Sequence, residues 1–247
     1  MKIPAVIGHR GAAGYAPENT LASIQKAFDL GVRWVEFDVM LSGDDVPVLF
    51  HDDKLTRLTD GRGLTAETAF DDLKRLDAGR WFGPGFAGER IPTLVEAVAL
   101  LADLGLGANV EIKPSEGRDA ETGRIAAEVL SDIWPDTLPM PLISSFSPVV
   151  LRAFADAAPV FPRALLVFPI PDDWRRQLAD LGCVALHAVS RRLRERRARE
   201  VITAGYDLRV FTVNNPERAR QLFGWGVAGV FTDYPDRVLA LRDPAGS

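Results

Sequence analysis

One cysteine, Cys183, stands among the 247 residues, so no internal disulfide is available to hold the fold. It sits inside an apolar run, which suits a reducing compartment and a core held by burial rather than by cross-links. Positive charge is also short: 29 Lys and Arg face 34 Asp and Glu, a formal net charge of −5. Such a chain has no global attraction for nucleic acid. No apolar run approaches the ~20 residues needed to cross a bilayer, so membrane insertion is not expected. The opening "MKIPAVIGHR" meets His9 and Arg10 before an apolar targeting segment can form. The expectation is a cytoplasmic protein without a secretory leader. Histidine is scarce, three in all, which makes the place of each informative.

What is plentiful is core material: 47% of residues are hydrophobic and 26% charged, ordinary for a globular protein with a large interior. Strand-like runs recur at 5–9, 34–41, 46–51, 108–113, 142–146, 163–168, 183–188, 208–213 and 227–232. Helical patterns lie at 19–30, 93–104, 120–133, 149–157, 173–181, 192–204, 216–225 and 235–241. Strands apolar on both faces that alternate with helices predict a parallel sheet covered by helices. About eight such units in this length predict a (β/α)8 TIM barrel, one domain over 1–247.

Nine strand-like runs exceed a barrel's eight by one. Only Ser42-Gly43-Asp44-Asp45 separates Leu41 from Val46, far too short for a parallel crossover. An antiparallel hairpin is predicted, with Leu41 opposite Val46, Asp38 opposite Leu49 and Glu36 opposite His51. From His51 to Pro92 the βα rhythm stops. A structureless loop of about forty residues is improbable in a compact domain. Residues 52–92 therefore read as a small cap inserted above one connection, with Trp81, Phe82 and Phe86 packing it or lining the barrel mouth.

Active sites of such barrels sit at the carboxyl ends of the strands. The ionisable residues predicted there are His9, Arg10, Glu36, Asp38, His51, Glu111 and Lys113. Glu36 and Asp38 leave one face of a strand, as do Glu111 and Lys113. An E-x-D pair alone is commonly a surface pair. Inside an apolar strand and beside a second acidic strand end, it points to a metal site, because converging carboxylates otherwise repel and protonate. All-oxygen ligation favours Mg2+ or Ca2+ over zinc. Two histidines at one rim suit a general acid and a general base. Arg10 and Lys113 offer fixed positive charge to phosphate. Together these describe phosphoryl chemistry better than carbonyl chemistry.

"HRG", "PENT", "EFDV", "VLFHD" and "EIK", in that order, resemble the glycerophosphodiester phosphodiesterase family. The likeness continues through "LDAGRWF", "ERIPTL", "SSF", "FTVN" and "GVFTDYPD" and is greatest to its compact bacterial cytosolic members. The resemblance implies a metal-dependent barrel that hydrolyses a small-molecule glycerophosphodiester to glycerol 3-phosphate and an alcohol. By motif match His9 and His51 take the catalytic places, Glu36, Asp38 and Glu111 the metal places, and Arg10 and Lys113 the phosphate-contacting places, with no departure at these seven. We expect His9 as base and His51 as acid in the first step. The attacker is either the substrate's neighbouring glycerol hydroxyl, giving a cyclic phosphate, or water. "PENT" itself is expected only to start the first helix, with Asn19 as its N-cap. Two other readings stand beside this one: a phosphodiesterase or lyase for lysolipid diesters, reached through an apolar "RWFGPGF", and a non-catalytic barrel that only binds phosphodiesters. Head group, choice of ion and oligomeric state, including a homodimer, stay open.

Other signals carry less. "GPGFAG" fits G-x-G-x-x-G but neither follows a strand nor opens a helix. "RRLRERRARE" reads as a solvated helix face with Arg191–Glu195 and Arg196–Glu200 paired at i, i+4. His187 ends a strand-like run with no motif beside it, which suggests a structural or rim role. Asn214 reads as a polar rim contact and Asp233 as mainly structural.

Overall fold

A computed structural model of the chain describes residues 3–241, so both ends of the 1–247 domain reading lie outside the described residues. The nine expected strands form: β1 (Val6–Gly8), β2 (Trp34–Leu41), β3 (Pro47–Leu49), β4 (Gly107–Ile112), β5 (Leu142–Ser145), β6 (Arg163–Val167), β7 (Ala185–Val189), β8 (Asp207–Phe211) and β9 (Gly229–Thr232). Eight are parallel neighbours, and β1 pairs with both β2 and β9, which closes a (β/α)8 TIM barrel. The ninth, β3, runs antiparallel on the end of β2.

The hairpin forms one residue out of the expected register, with Leu41 opposite Pro47, Met40 opposite Val48 and Val39 opposite Leu49. The turn explains the slip. Ser42 N–H donates to Val46 O at 3.0 Å, leaving a three-residue loop, and its last residue, Asp45, takes a left-handed conformation at φ 67°. Ser42 Oγ also accepts from Val46 N–H at 2.9 Å. Asp38 therefore faces Phe50, whose N–H donates to Asp38 O at 3.2 Å. His51 lies beyond the end of β3, so the chain's turn rather than strand alternation aims it.

The helices are α1 (Leu21–Asp29), α2 (Phe70–Leu73), α3 (Leu94–Leu104), α4 (Asp119–Ile133), α5 (Pro148–Ala157), α6 (Trp174–Leu181), α7 (Glu195–Thr203), α8 (Pro216–Gly224) and α9 (Pro235–Leu239). Local sequence sets their ends. Thr93 and Glu96 form a capping box before α3, and Ser147 and Asn215 cap α5 and α8, each followed by proline at the first position. Thr20, not Asn19, caps α1, accepting from Ser23 N–H. Apolar faces of α1, α3, α4 and α5 close over one half of the barrel wall, and those of α6 to α9 over the other. Ile7, Trp34, Leu142, Ala164, Ala185 and Phe231 cluster within the barrel.

Between His51 and Pro92 the described structure holds α2 and three single turns of 3-10 helix. Leu55, Leu58, Leu73, Ala78 and Ile91 from this stretch pack on Met40, Val48 and Phe50 of the hairpin. Trp81, Phe82 and Phe86 stack edge to face on one another, with ring centroids 5.6 and 5.4 Å apart. "GPGFAG" spans one of the single turns, Pro84–Phe86, and follows no strand. Cys183 is buried, and burial pushes its thiol up to about 12, which leaves it protonated and inert.

Gly11 has φ 82°, and a Cβ there would lie 2.3 Å from Ser23 Oγ and 2.5 Å from Ser23 C. Gly11→Ala is expected to cost about 2 kcal/mol or more, since neither the left-handed backbone nor the close approach to α1 tolerates a methyl group. A lowered urea midpoint with unchanged slope is the expected result; a midpoint equal to the parent's would contradict it.

Candidate active site

The strand β1 ends in an abrupt reversal. Arg10 and Gly11 are successive left-handed residues, at φ 50° and 82°. Arginine in that region costs about 1 kcal/mol or more, and local hydrogen bonds offset it. Arg10 N–H donates to Glu36 Oε2 at 2.9 Å, Gly11 N–H to Glu36 O at 3.1 Å, and Ser23 Oγ–H to Arg10 O at 2.5 Å. "HRG" is thus stitched to β2 and α1, with His9 and Arg10 held over the barrel mouth.

Asp38 on β2 and Glu111 on β4 are register partners, and Glu36 projects from the same face of β2. Carboxylate oxygens of the three lie within 4.8 Å of one another. Glu36 is 3% exposed and Asp38 1%. Burial, then repulsion from Asp38 and Glu111, drives Glu36 well above the usual carboxylate range. Burial and Asp38 push Glu111 up to about 8. Asp38 is the exception. Burial opposes its ionisation, but Arg10, His51, a 2.8 Å hydrogen bond from Asn19 Nδ2 and Lys113 together hold it below its ordinary value. Glu36 Oε1 is buried without a hydrogen-bond partner among the described residues. An orphaned oxygen within an all-carboxylate set fits a hard divalent ion, so Glu36, Asp38 and Glu111 form an acidic group able to hold a metal.

The two histidines are built alike. His9 Nδ1 lies 2.6 Å from Asp233 Oδ1, and His51 Nδ1 lies 2.6 Å from Asp52 Oδ1. A carboxylate on Nδ1 makes that nitrogen the donor and leaves Nε2 as the working atom. Asn214 braces Asp233, donating from Nδ2 at 2.5 Å and accepting from Asp233 N–H at 2.9 Å. The two Nε2 atoms differ in surroundings. That of His51 is 2.8 Å from Lys113 Nζ, and an ammonium can only donate, so this nitrogen carries its lone pair. Burial, then Arg10 and Lys113, hold His51 below its ordinary pKa against the pull of Asp38 and Asp52. His9 Nε2 instead stands 3.9 Å from Glu36 Oε2.

Arginine ties the two histidine regions together. Arg10 Nε is 3.1 Å from Asp38 Oδ2, and its Nη1 donates to Glu18 Oε1 at 2.5 Å. Arg57 grips Glu18 at 3.0 and 2.9 Å and Asp52 at 2.5 and 2.8 Å. An unbroken chain of ion pairs and hydrogen bonds thus runs from His51 through Asp52, Arg57, Glu18 and Arg10 to Asp38. "PENT" therefore does more than start a helix: Glu18 anchors both arginines, and Asn19, left-handed at φ 58°, braces Asp38 through its amide.

The seven predicted residues come together at this rim. His9, Arg10, His51 and Glu111 line a cavity of about 620 Å³ with Phe146, Phe168, Val189, Ser190, Arg191, Phe211, Thr212 and Arg218. Trp81, Phe82 and Phe86 are not among its lining, so the apolar approach expected from "RWFGPGF" comes instead from Phe146, Phe168 and Phe211. His187 does not reach the rim; it is fully buried against Phe231, ring centroids 5.0 Å apart. Arg196 pairs with Glu200 as expected, but Arg191 does not pair with Glu195. Arg191 belongs to a 3-10 turn, Ser190–Arg192, that precedes α7 and points it elsewhere. Sequence reasoning missed Glu18, Asp52 and Arg57, gave Asn19 to a helix cap and underrated Asp233. The acid adjacent to His51 in "HDD" and the acid ending β9 were the available signals.

A family model described as the glycerophosphoryl diester phosphodiesterase family matches residues 9–237. The glycerophosphodiester phosphodiesterase of Caldanaerobacter subterraneus is 33% identical over 98% of both chains. That of Bacillus subtilis is 30% identical over 93% of this chain and 83% of its own. A solved phosphodiesterase of Oleispira antarctica, in complex with the product sn-glycerol-3-phosphate, is 43% identical with a TM-score of 0.95, covering 98% of this chain and 97% of that one.

The raised carboxyls set a stability profile. Burial and the neighbouring Asp38 push Glu111 up to about 8 in the folded chain, above its ordinary value of 4.5. The folded state therefore keeps a proton that the unfolded chain gives up, and the contribution, full below the unfolded value, is lost as pH rises through about 8. Without divalent ions, the melting temperature is expected to fall between these limits. Glu111→Gln should flatten the slope and raise the alkaline-side melting temperature by about 4 °C. An equally steep slope in the variant would remove Glu111 as its source.

Proposed function

The chain belongs to the glycerophosphoryl diester phosphodiesterase family and is an enzyme of that class, and we propose that it hydrolyses glycerophosphodiesters to glycerol 3-phosphate and an alcohol with a divalent ion held by Glu36, Asp38 and Glu111. The observation that carries the reading is one cavity lined by two carboxylate-backed imidazoles, Arg10 and Glu111, with Glu36 and Asp38 clustered on Glu111 and Lys113 against His51. A bound Mg2+ or Ca2+ would neutralise charge that builds on the phosphate oxygens. Arg10 and Lys113 contribute fixed positive charge to the same oxygens. The glycerol 3-phosphate bound in the Oleispira relative supports a glycerol-phosphate unit as the common part of the substrates.

Proton transfer is shared by His9 and His51. The neutral state of His51 favours it as base, the reverse of the assignment expected from sequence. Its Nε2 takes the proton of the attacking hydroxyl, of the neighbouring glycerol carbon or of water, as the new P–O bond forms. His9, whose Nδ1 faces Asp233 and whose Nε2 stands near Glu36, gives a proton to the leaving alkoxide as the other P–O bond breaks. Asp52 and Asp233 stabilise the two imidazolium forms in turn. We read the chain as one cytoplasmic barrel domain with residues 52–92 as its cap, which delivers Arg57 to Asp52. The lysolipid reading has an apolar approach in Phe146 and Phe168, and comparing turnover of glycerophosphocholine with that of a lysophospholipid separates the two.

His9→Ala and His51→Ala should each lower kcat by about 10²–10⁴-fold with folding intact by circular dichroism. A diester with a p-nitrophenyl leaving group needs no acid, so it should recover most of the loss in His9→Ala and little in His51→Ala. Recovery in His51→Ala alone would exchange the roles, and full activity in either variant would remove that histidine. Activity should vanish in excess chelator and return with Mg2+ or Ca2+; full rate under chelation would rule out the metal.

A further inference from the structure

The cavity wall away from the carboxylates is basic and aromatic, and none of the roles above uses its arginines. Arg191 lies on that wall, exposed, with its guanidinium carbon 4.8 Å from the centroid of Phe168. Among the described residues it makes no hydrogen bond or ion pair, so all its N–H donors are free while the ring fixes its plane. Arg192 stands 5.3 Å from the same ring. Arg218 shares the wall and has no carboxylate partner among the described residues. Its guanidinium donates to Ser190 O and Leu193 O, each at 2.8 Å, and holds the turn that carries Arg191. Among the described residues the only carboxylate lining the cavity is Glu111, on the side of the acidic cluster. A cationic head group would meet two arginines and no counter-charge here, and the exposed Phe168 ring that could receive a quaternary ammonium is already covered by guanidinium.

We propose that Arg191, stacked on Phe168 and steadied through Arg218, forms a subsite for an anionic group on the leaving alcohol, so that the enzyme prefers diesters whose alcohol bears a carboxylate or a phosphate. The proposal rests on the diesterase reading and names the substrate class of that site. Phosphate and carboxylate both match the planar fork of arginine, so each needs its own comparison.

Two matched substrate pairs test it. Glycerophosphoserine differs from glycerophosphoethanolamine by one carboxylate, and glycerophosphoglycerol phosphate differs from glycerophosphoglycerol by one phosphate. The ratio of kcat/KM within each pair should favour the anionic member in the parent enzyme and fall roughly tenfold in Arg191→Gln, the size of one charge-assisted hydrogen bond. A fall in one pair alone identifies which anion the subsite takes. The double variant Arg191→Gln/Arg192→Gln closes the route by which Arg192 substitutes. Arg194→Gln, exposed and outside the cavity, should keep the parent's ratios. An unchanged ratio in the double variant, an equal fall in Arg194→Gln, or a parent preference for glycerophosphoethanolamine would overturn the subsite while leaving the diesterase reading intact. Failure to hydrolyse any of the four would overturn both.

Discussion

Three carboxyl groups, two buried and Glu111 half-buried, lie within 4.8 Å of one another at the mouth of this barrel, and they cannot all be ionised without a cation among them. Most of the other features at the mouth answer that constraint. Arg10 is forced into a left-handed backbone so that its N–H meets Glu36 and its guanidinium meets Asp38. Asn19 is spent on Asp38 rather than on a helix cap. Even so, Glu36 and Glu111 remain strained toward protonation, because one arginine neutralises one carboxylate. A hard divalent ion has the charge and ligand preference to offset this cost, which is why the proposed function places one here.

Around that cluster the histidines are arranged as near twins with one asymmetry. Each has its own carboxylate on Nδ1, delivered by different means: Asp233 from the end of β9 across the barrel seam, Asp52 by the next residue along the chain. Lys113 meets only His51. A fixed ammonium beside one imidazole and an acidic cluster beside the other separates two chemically identical side chains, and environments that part otherwise equal groups are how acid and base roles are distributed. The chain from Asp52 through Arg57 and Glu18 to Arg10 couples this arrangement to residues 52–92. That stretch is therefore part of the site's framework.

The barrel was legible in the sequence because strand after strand is apolar on both faces, and burial on both faces leaves few alternatives. The seven rim residues were legible because strand ends in such a barrel share one face. What escaped depended on local backbone geometry. The hairpin slipped by one residue because Asp45 adopts a left-handed turn that tetrapeptide counting does not reveal. Asn19 was misplaced as a cap for the same reason: its left-handed backbone moves the cap to Thr20 and frees the amide for Asp38. Arg191 looked like part of a charged helix face until the helix proved to begin at Glu195. Glu18 and Arg57 gain meaning only when a distant loop closes on "PENT", and no periodicity records that closure.

On the proposed reading, the acidic cluster holds protons that a divalent ion displaces. Proton release on metal binding measures this directly, by titrating Mg2+ or Ca2+ into the metal-free protein near pH 7 in two buffers of different ionisation enthalpy. With Glu111 near 8 and Glu36 also raised, binding should release protons, and the apparent heat should differ between buffers accordingly. Binding with identical heats in both buffers, or no binding, would contradict the account.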